Sequence, residues 1–318
     1  MNIIGRRKLW FAISLLVIIP GCISLALWGL KPGIDFAGGQ VMEIKGVKSQ
    51  AEIKSIFEAA GVRDLTITST GEGAILARYR DAEGKSPLET NTQIKAKLAE
   101  KGAEETSFES VGPSVSRDIT RNAVISVALA SIAIVIFMAF AFRNTPPPVS
   151  PWNFGMAAVI ALLHDTLVML GIFSLLGHFF NVEVDSLFIT AVLTTIGFSV
   201  HDTIVVFDRI RENLKRYNYP FETIVNDSIV ETLARSLATS LTVIFTLLAL
   251  LVFGGETIRL FVFALLIGII SGTFSSIFNA APLLVVWNNY KLKRAARRTQ
   301  PKPTKPKTGR VKSTKQSS

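Results

Sequence analysis

Six stretches of this chain are apolar for about 20 residues or more: Leu9–Leu30, Ala123–Phe142, Trp152–Phe179, Leu187–Phe207, Leu233–Phe253 and Ile258–Trp287. At a helical rise of about 1.5 Å per residue, each reaches across a hydrocarbon core of about 30 Å, with the longest tilted or extending beyond it. A chain that is 49% hydrophobic, with a mean hydropathy of +0.42, is too apolar for an ordinary soluble domain. The predicted fold class is therefore an α-helical integral membrane protein with six transmembrane helices. The first run could also be a leader, because Arg6, Arg7 and Lys8 precede it and "IIPGC" is similar to a lipoprotein cleavage site. It continues past Cys22 to Leu30, long enough to span and stay, so it reads as an uncleaved anchor.

The net charge of +10 suggests nucleic acid until it is located. Eleven Lys and Arg and no acid fall between Lys291 and Ser318, which leaves about −1 for the rest of the chain. That Pro-, Lys-, Ser- and Thr-rich tail (291–318) reads as a disordered segment that touches anionic lipid or ribosomal RNA, or merely fixes topology. No DNA partner is implied. A single cysteine, Cys22, excludes an internal disulfide framework and a cysteine metal cluster.

Short basic loops fix the expected orientation. Arg6, Arg7 and Lys8, then Arg143, then Arg209, Arg211, Lys215 and Arg216, then the tail all fall on one side. That side is cytoplasmic by the positive-inside tendency, and both termini lie there. The other side receives one large segment, roughly Lys31–Arg121, which reads as strand, helix, strand, strand, helix, strand: the βαββαβ order of a ferredoxin-like extracytoplasmic domain. It holds no His, no Cys and no carboxylate cluster, so it reads as a binding or mechanical module. The expected domains are thus 1–30 (N-terminus and first helix), 31–121 (outer module), 122–290 (five-helix bundle) and 291–318 (tail).

Ionisable groups inside membrane spans are costly, roughly 2.5–3.5 kcal/mol at a helix centre, and are functional candidates by default. Two His-Asp-Thr stretches, "ALLHDTLVMLG" and "FSVHDTIVVFD", place Asp165 and Asp202 in apolar sequence, and Arg235 opens the fifth run. Such pairs could bind a metal, carry protons or be buried by packing. Counted from Trp152, Asp165 lies about 20 Å from the cytoplasmic edge, whereas Asp202, counted from Asp208, lies about 9 Å from it. Different depths disfavour a shared metal site or a two-His-two-Asp hydrolase. Arg235, read as lying in the first turn of its helix, can meet Asp202 or snorkel to the interface.

Small polar residues line up with these charges. Thr195 and Ser199 lie at helical spacing from Asp202, with Thr194 beside them, and Thr239, Thr242 and Thr246 follow Arg235. The sixth run adds Ser271, Gly272, Ser275, Ser276 and Asn279. Such residues commonly mean close helix packing; leading to ionisable groups, they also fit a hydrated file for protons. An aspartate beside an arginine is held ionised, and protonation when the arginine withdraws would exchange one helix arrangement for another.

At these residues the chain resembles the SecD/SecF family of Sec protein-translocase subunits, within the RND superfamily. The matching stretches are "GIDFAGG", "VGPSVSRD", "GFSVHDTIVVFDRIREN", "ETLARSLATSLT", "LVFGG" and "SGTFSSIFNAAPLL". The resemblance implies a six-helix half of a twelve-helix unit completed by SecD in a bacterial plasma membrane or a thylakoid-type membrane. Proton or sodium flow would draw unfolded preprotein outward, with the SecYEG channel, the SecA motor and YajC as partners. It further implies ion coupling at Asp202 and Arg235, a less certain role for Asp165, and a family motif through Gly33, Asp35, Gly38 and Gly39. The family usually has Asn where this chain has His201, which points about 100° away from Asp202 around the helix and reads as packed or interfacial. A small-molecule or lipid exporter of the same superfamily and a non-transporting structural subunit are the alternatives. No Walker loop, nucleophile elbow or zinc motif occurs, so no enzyme and no cofactor is expected.

Overall fold

The computed structural model describes residues 1–46, 49–69, 74–80 and 86–299. A short 3₁₀ turn leads into α1 (Arg7–Leu27), and α2 (Ile34–Ala37) is a single turn. There follow β1 (Gly39–Lys45), α3 (Gln50–Ala59), β2 (Arg63–Ser69), β3 (Ile75–Arg80), α4 (Pro87–Glu100) and β4 (Glu104–Val111). The chain then forms α5 (Pro113–Ala141), α6 (Pro151–Phe180), α7 (Ser186–Arg216) and α8 (Phe221–Phe253). Last come α9 (Glu256–Ser275), a π-helical turn at Ser276–Ala280 and α10 (Ala281–Thr299), stacked end to end as one span. Among the described residues, six helical segments are thus long and apolar enough to cross a membrane.

Two of these helices begin well before their apolar runs. Helix α5 starts at Pro113, a favourable first-turn residue, and carries the polar "SVSRDITRN" on its way to Ala123. Helix α8 starts at Phe221, and its first three turns bury Phe221, Ile224, Val225 and Ile229. Hydropathy marks the part of a helix that lies in hydrocarbon, whereas an amphipathic extension continues the same backbone hydrogen bonding beyond it. The extension of α8 also holds the N-terminus, since Asn226 Oδ1 accepts the Ile3 N–H at 2.9 Å. Helix α10 likewise runs on through Thr299, so the first residues assigned to the tail are helical; 300–318 lie outside the described residues.

Helices α6, α7 and α9 form the centre of the bundle, while α1, α5 and α8 present most of their surface outward. Small residues set the spacing. Helices α7 and α9 run parallel, with Thr195 against Gly268, Ser199 against Gly272 and Thr203 bonded to Ser276. A Cβ on Gly268 would fall 2.1 Å from Thr195 Oγ1. The same logic joins α1 to α6, where a Cβ on Gly171 would come 2.6 Å from Gly21 Cα and Ser24 bonds Ser174 at 2.6 Å. Backbones this close are the membrane form of tight packing.

The four strands make one antiparallel sheet in the order β2-β3-β1-β4. Ile53, Ile56 and Phe57 of α3 and Ile94 and Leu98 of α4 share a core with Met42, Ile44, Ala77 and Tyr79 of the sheet. Helix α3 is capped by Ser49, and α4 opens with a Ser86–Glu89 capping box. The "GIDFAGG" segment seats this module on the bundle. Gly33 donates its N–H to Val184 O at 2.7 Å, and Val184 donates to Lys31 O at 2.9 Å. Gly39, at φ +124°, passes so near β3 that a Cβ would sit 3.0 Å from Tyr79 O. Arg78 of β3 pairs with Glu183 in the α6–α7 connection, and Lys31 Nζ lies 3.5 Å from the same carboxylate.

Candidate functional site

Asp165 is the most completely caged charge in the bundle. It is 1% exposed, and its two oxygens accept from Ser199 Oγ (2.5 Å), Ser271 Oγ (2.7 Å) and Ser275 Oγ (2.7 Å), with His164 Nδ1 at 2.9 Å. Three helices converge to make this site: α6 supplies Asp165 and His164, α7 supplies Ser199, and α9 supplies Ser271 and Ser275 one turn apart. The approach of α9 depends on Gly272, where a Cβ would lie 3.0 Å from the Ser199 Cβ.

Asp202, 2% exposed, is held more loosely. Ser240 Oγ of α8 and Thr273 Oγ1 of α9 each lie 3.3 Å from its Oδ2, and Thr273 also donates to Ser240 at 2.7 Å. His201 Nδ1 is 3.7 Å from Oδ1, beyond hydrogen-bond range, and its ring is exposed. A buried carboxylate with few and long hydrogen bonds is incompletely compensated for its lost hydration.

The depth estimate made from the run boundaries does not hold. Asp165 is bonded to Ser199, three residues from Asp202 along α7, so the two aspartates are anchored about 4.5 Å apart along that helix. Asp208 does not mark the end of α7, which continues to Arg216 through a network of Arg211–Asp208 (2.6 Å), Arg209–Glu212 (2.6 Å) and Arg209–Glu231 pairs. Among the described residues, however, no group of three His, Cys, Asp or Glu side chains is placed to hold a metal ion.

Of the two alternatives for Arg235, the contact with Asp202 is absent among the described residues. Because α8 begins at Phe221, Arg235 is not in its first turn. The Asp202–Ser240 and Arg209–Glu231 contacts place Arg235 between those two levels of α8, about a turn from Asp202. Arg235 is exposed, and with Asp208, Arg209, Glu212 and Glu231 it lines a polar cleft of about 550 Å³. Thr239, Thr242 and Thr246 share this outward face, their hydroxyls bonded to Arg235 O, Ala238 O and Thr242 O of their own helix. The inward stripe of α8 is instead Ser228, Thr232, Ser236 and Ser240.

Of the α7 stripe, Thr195 and Ser199 are buried and face α9, while Thr194 is exposed. Ser271, Ser275, Ser276 and Asn279 of the last span are all buried. Thr273 and Ser240, which hold Asp202, were missed by the sequence reading; the signal for Ser240 was the four-residue Ser236–Ser240 spacing on α8, one helical step from the threonine stripe. Of the motif residues, Asp35 accepts the N–H of Ser186, the first residue of α7, at 2.8 Å, and Gly33, Gly38 and Gly39 shape the turns around it.

Comparison with known proteins gives one consistent picture. The family described as protein export membrane protein SecD/SecF, C-terminal, matches residues 92–290. The protein translocase subunit SecF of Thermobaculum terrenum is 49% identical over 314 residues, covering 95% of this chain and 98% of that one. The protein translocase subunit SecDF of Bacillus subtilis is 34% identical over 91% of this chain, which spans only 38% of that longer protein. In structure, the chain is similar to SecDF of Thermus, described as a translocon-associated membrane protein. The TM-score is 0.78 at 32% identity, over 91% of this chain and 39% of that one.

Proposed function

The chain belongs to the SecD/SecF family of protein export membrane proteins, and from that premise we propose how it works as an auxiliary subunit of the Sec protein translocase. Proton exchange at the buried Asp202 drives a rearrangement of α7 that promotes preprotein movement across the membrane. The observation that carries this reading is the pair of buried carboxylates, Asp165 and Asp202, anchored one turn apart on α7 and ringed by hydroxyls from α8 and α9. Asp202 is the exchanging group, because its hydrogen bonds are the longer and fewer. Taking up a proton removes the cost of an undercompensated charge, and releasing it restores that cost. Helix α7 then prefers different neighbours in the two states, and its far end is tied through Asp35 and Val184 to the sheet module.

SecD is the partner. In relatives such as the Bacillus subtilis SecDF, the region similar to this chain is little more than a third of a longer protein, which supports a second six-helix half beside this one. The exposed face of α8, with Arg235 and Thr239 among Leu237, Leu241 and Phe245, is the surface that half would cover. In the assembled unit Arg235 meets its charge partner there. The sheet module reads as a ferredoxin-like domain, supported by its βαββαβ order and its strand order. We place it outside the plasma membrane, within residues 31–121, with both termini cytoplasmic, a basic tail from 291 and the bundle between. SecYEG, SecA, YajC and the unfolded preprotein are the further partners of this reading.

The test uses membrane vesicles carrying the assembled translocase. Asp202→Asn retains an acceptor for Ser240 and keeps the fold, but abolishes the part of preprotein translocation that depends on the ion gradient. Full gradient-dependent transport by the Asn variant overturns the reading.

A further inference from the structure

Among the buried polar atoms without a partner, beside Thr195 Oγ1 and Ser236 Oγ, the basic one in this site is on His164. The residue is 9% exposed, its Nδ1 lies 2.9 Å from Asp165 Oδ1, and its Nε2 is buried without a hydrogen-bond partner. A buried nitrogen left unpaired costs about 1–3 kcal/mol and calls for a reason.

The cage decides which nitrogen carries the proton. A carboxylate offers about four lone-pair positions. Three hydroxyl donors, from Ser199, Ser271 and Ser275, already point at Asp165, and His164 Nδ1 is the fourth group in range. With Nδ1–H as donor, neutral imidazole has its free lone pair on Nε2. A carboxylate that fixes one ring nitrogen as donor, leaving the other as a base, is the arrangement of the histidine in a Ser-His-Asp triad.

Two cavities flank this ring. One of about 430 Å³ lies between α1, α6 and the π-helical turn, and one of about 330 Å³ lies between α1, α6 and α9. Facing His164 from α1 are Phe11 and Ser14, from α9 Ser271 and Phe274, and from the π-helical turn Asn279, which is bonded to Ser14. No residue lining either cavity titrates except His164, and Asp165 is the charged group in contact with it.

We propose that His164 is a second proton-binding site of this chain, with Nε2 as the basic atom and Asp165 as the fixed anion that orients the ring. A proton delivered by a hydronium ion adds to the Nε2 lone pair and forms an N–H bond. One O–H bond of the hydronium breaks, its electron pair leaves with the released water, and the resulting imidazolium is neutralised by Asp165. This assigns Asp165 a positioning role beside an exchanging histidine and makes the caged site selective for protons, since every oxygen of its carboxylate is already engaged. The proposal rests on the proton-driven reading of the family's transport role, but its first test does not involve transport.

That test is ¹⁵N NMR of the full chain, labelled at histidine, in lipid nanodiscs. The chain has only three histidines, so His178→Gln and His201→Gln assign the signals. At alkaline pH the expected His164 signature is a protonated Nδ1 and a bare Nε2, with Nε2 gaining its proton on acidification. The opposite tautomer, or a ring that stays neutral at every pH where the protein remains folded, overturns the proposal. The second test is His164→Asn in translocase vesicles, which keeps a donor for Asp165 and removes the base. Loss of the acid-side inflection in gradient-driven transport is expected, and an unchanged pH profile overturns the proposal. A titrating His164 in a chain whose transport ignores the gradient would count against the proposed function alone.

Discussion

The Asp35 carboxylate, in the one-turn helix α2, accepts the backbone N–H of Ser186 at 2.8 Å, bridging 151 residues of sequence to the first residue of α7. Asp185 caps the same end from within, accepting from Phe188 N at 2.9 Å. Two carboxylates therefore complement the positive end of the helix that carries Asp202. Asp35→Ala is expected to cost about 1 kcal/mol, the usual cost of a lost helix cap, with Asp35→Asn milder. Thermal unfolding in nanodiscs measures this, and an Ala variant that melts with the parent would show that the tie carries no stability.

Helix spacing rests on glycine at one position and not at another. Gly268→Ala forces a methyl into Thr195 and is expected to destabilise by about 1–3 kcal/mol through overpacking. Gly197→Ala meets nothing within 4 Å, and should gain about 0.5–1 kcal/mol from helix propensity. Equal melting temperatures for the two variants would contradict the α7–α9 contact.

Asp165→Ala leaves three buried hydroxyls without their acceptor. Each hydrogen bond to a charged group contributes about 1.5–3 kcal/mol, so this variant should lose more stability than Ser271→Ala. The comparison is a pair of denaturation curves, and the reverse order would remove Asp165 from the centre of the cage.

Arg235 makes no ion pair among the described residues and faces outward. Arg235→Leu should therefore leave the stability of the isolated chain within about 0.5 kcal/mol while weakening copurification with a SecD-type partner. A variant that unfolds alone, or binds the partner normally, would argue against this face as the contact.

Lys31 supplies a pH dependence. Burial, and after it the Arg78 guanidinium, lowers its ammonium below the ordinary value of 10.5. The folded chain therefore binds this proton more weakly than the unfolded one, and stability rises with pH between the lowered value and 10.5. Lys31→Gln should flatten that rise when melting temperature is followed into the alkaline range; an unchanged slope would assign it to another group.

By itself the sequence determined the six spans, because apolar runs of that length have no aqueous alternative. The βαββαβ order of the sheet module was equally legible in alternating strands and one-sided helices such as Ile53, Ile56 and Phe57. The buried aspartates stood out because each interrupts a run that excludes charge. Only the tertiary structure decided what each charge touches. Counting from the ends of apolar runs placed Asp165 and Asp202 at different depths and put Arg235 within reach of Asp202 or of the interface, because hydropathy marks where hydrocarbon stops and not where a helix does. Helices α7 and α8 continue past that edge, and their true register sets Asp202 against Ser240 and turns Arg235 and Thr239 outward. A one-residue step around a helix is about 100°, enough to exchange a threonine stripe for a serine stripe. Which of the two faces inward is fixed by the packing of α9 between α7 and α8, through contacts that join residues 73 and 33 positions apart in sequence.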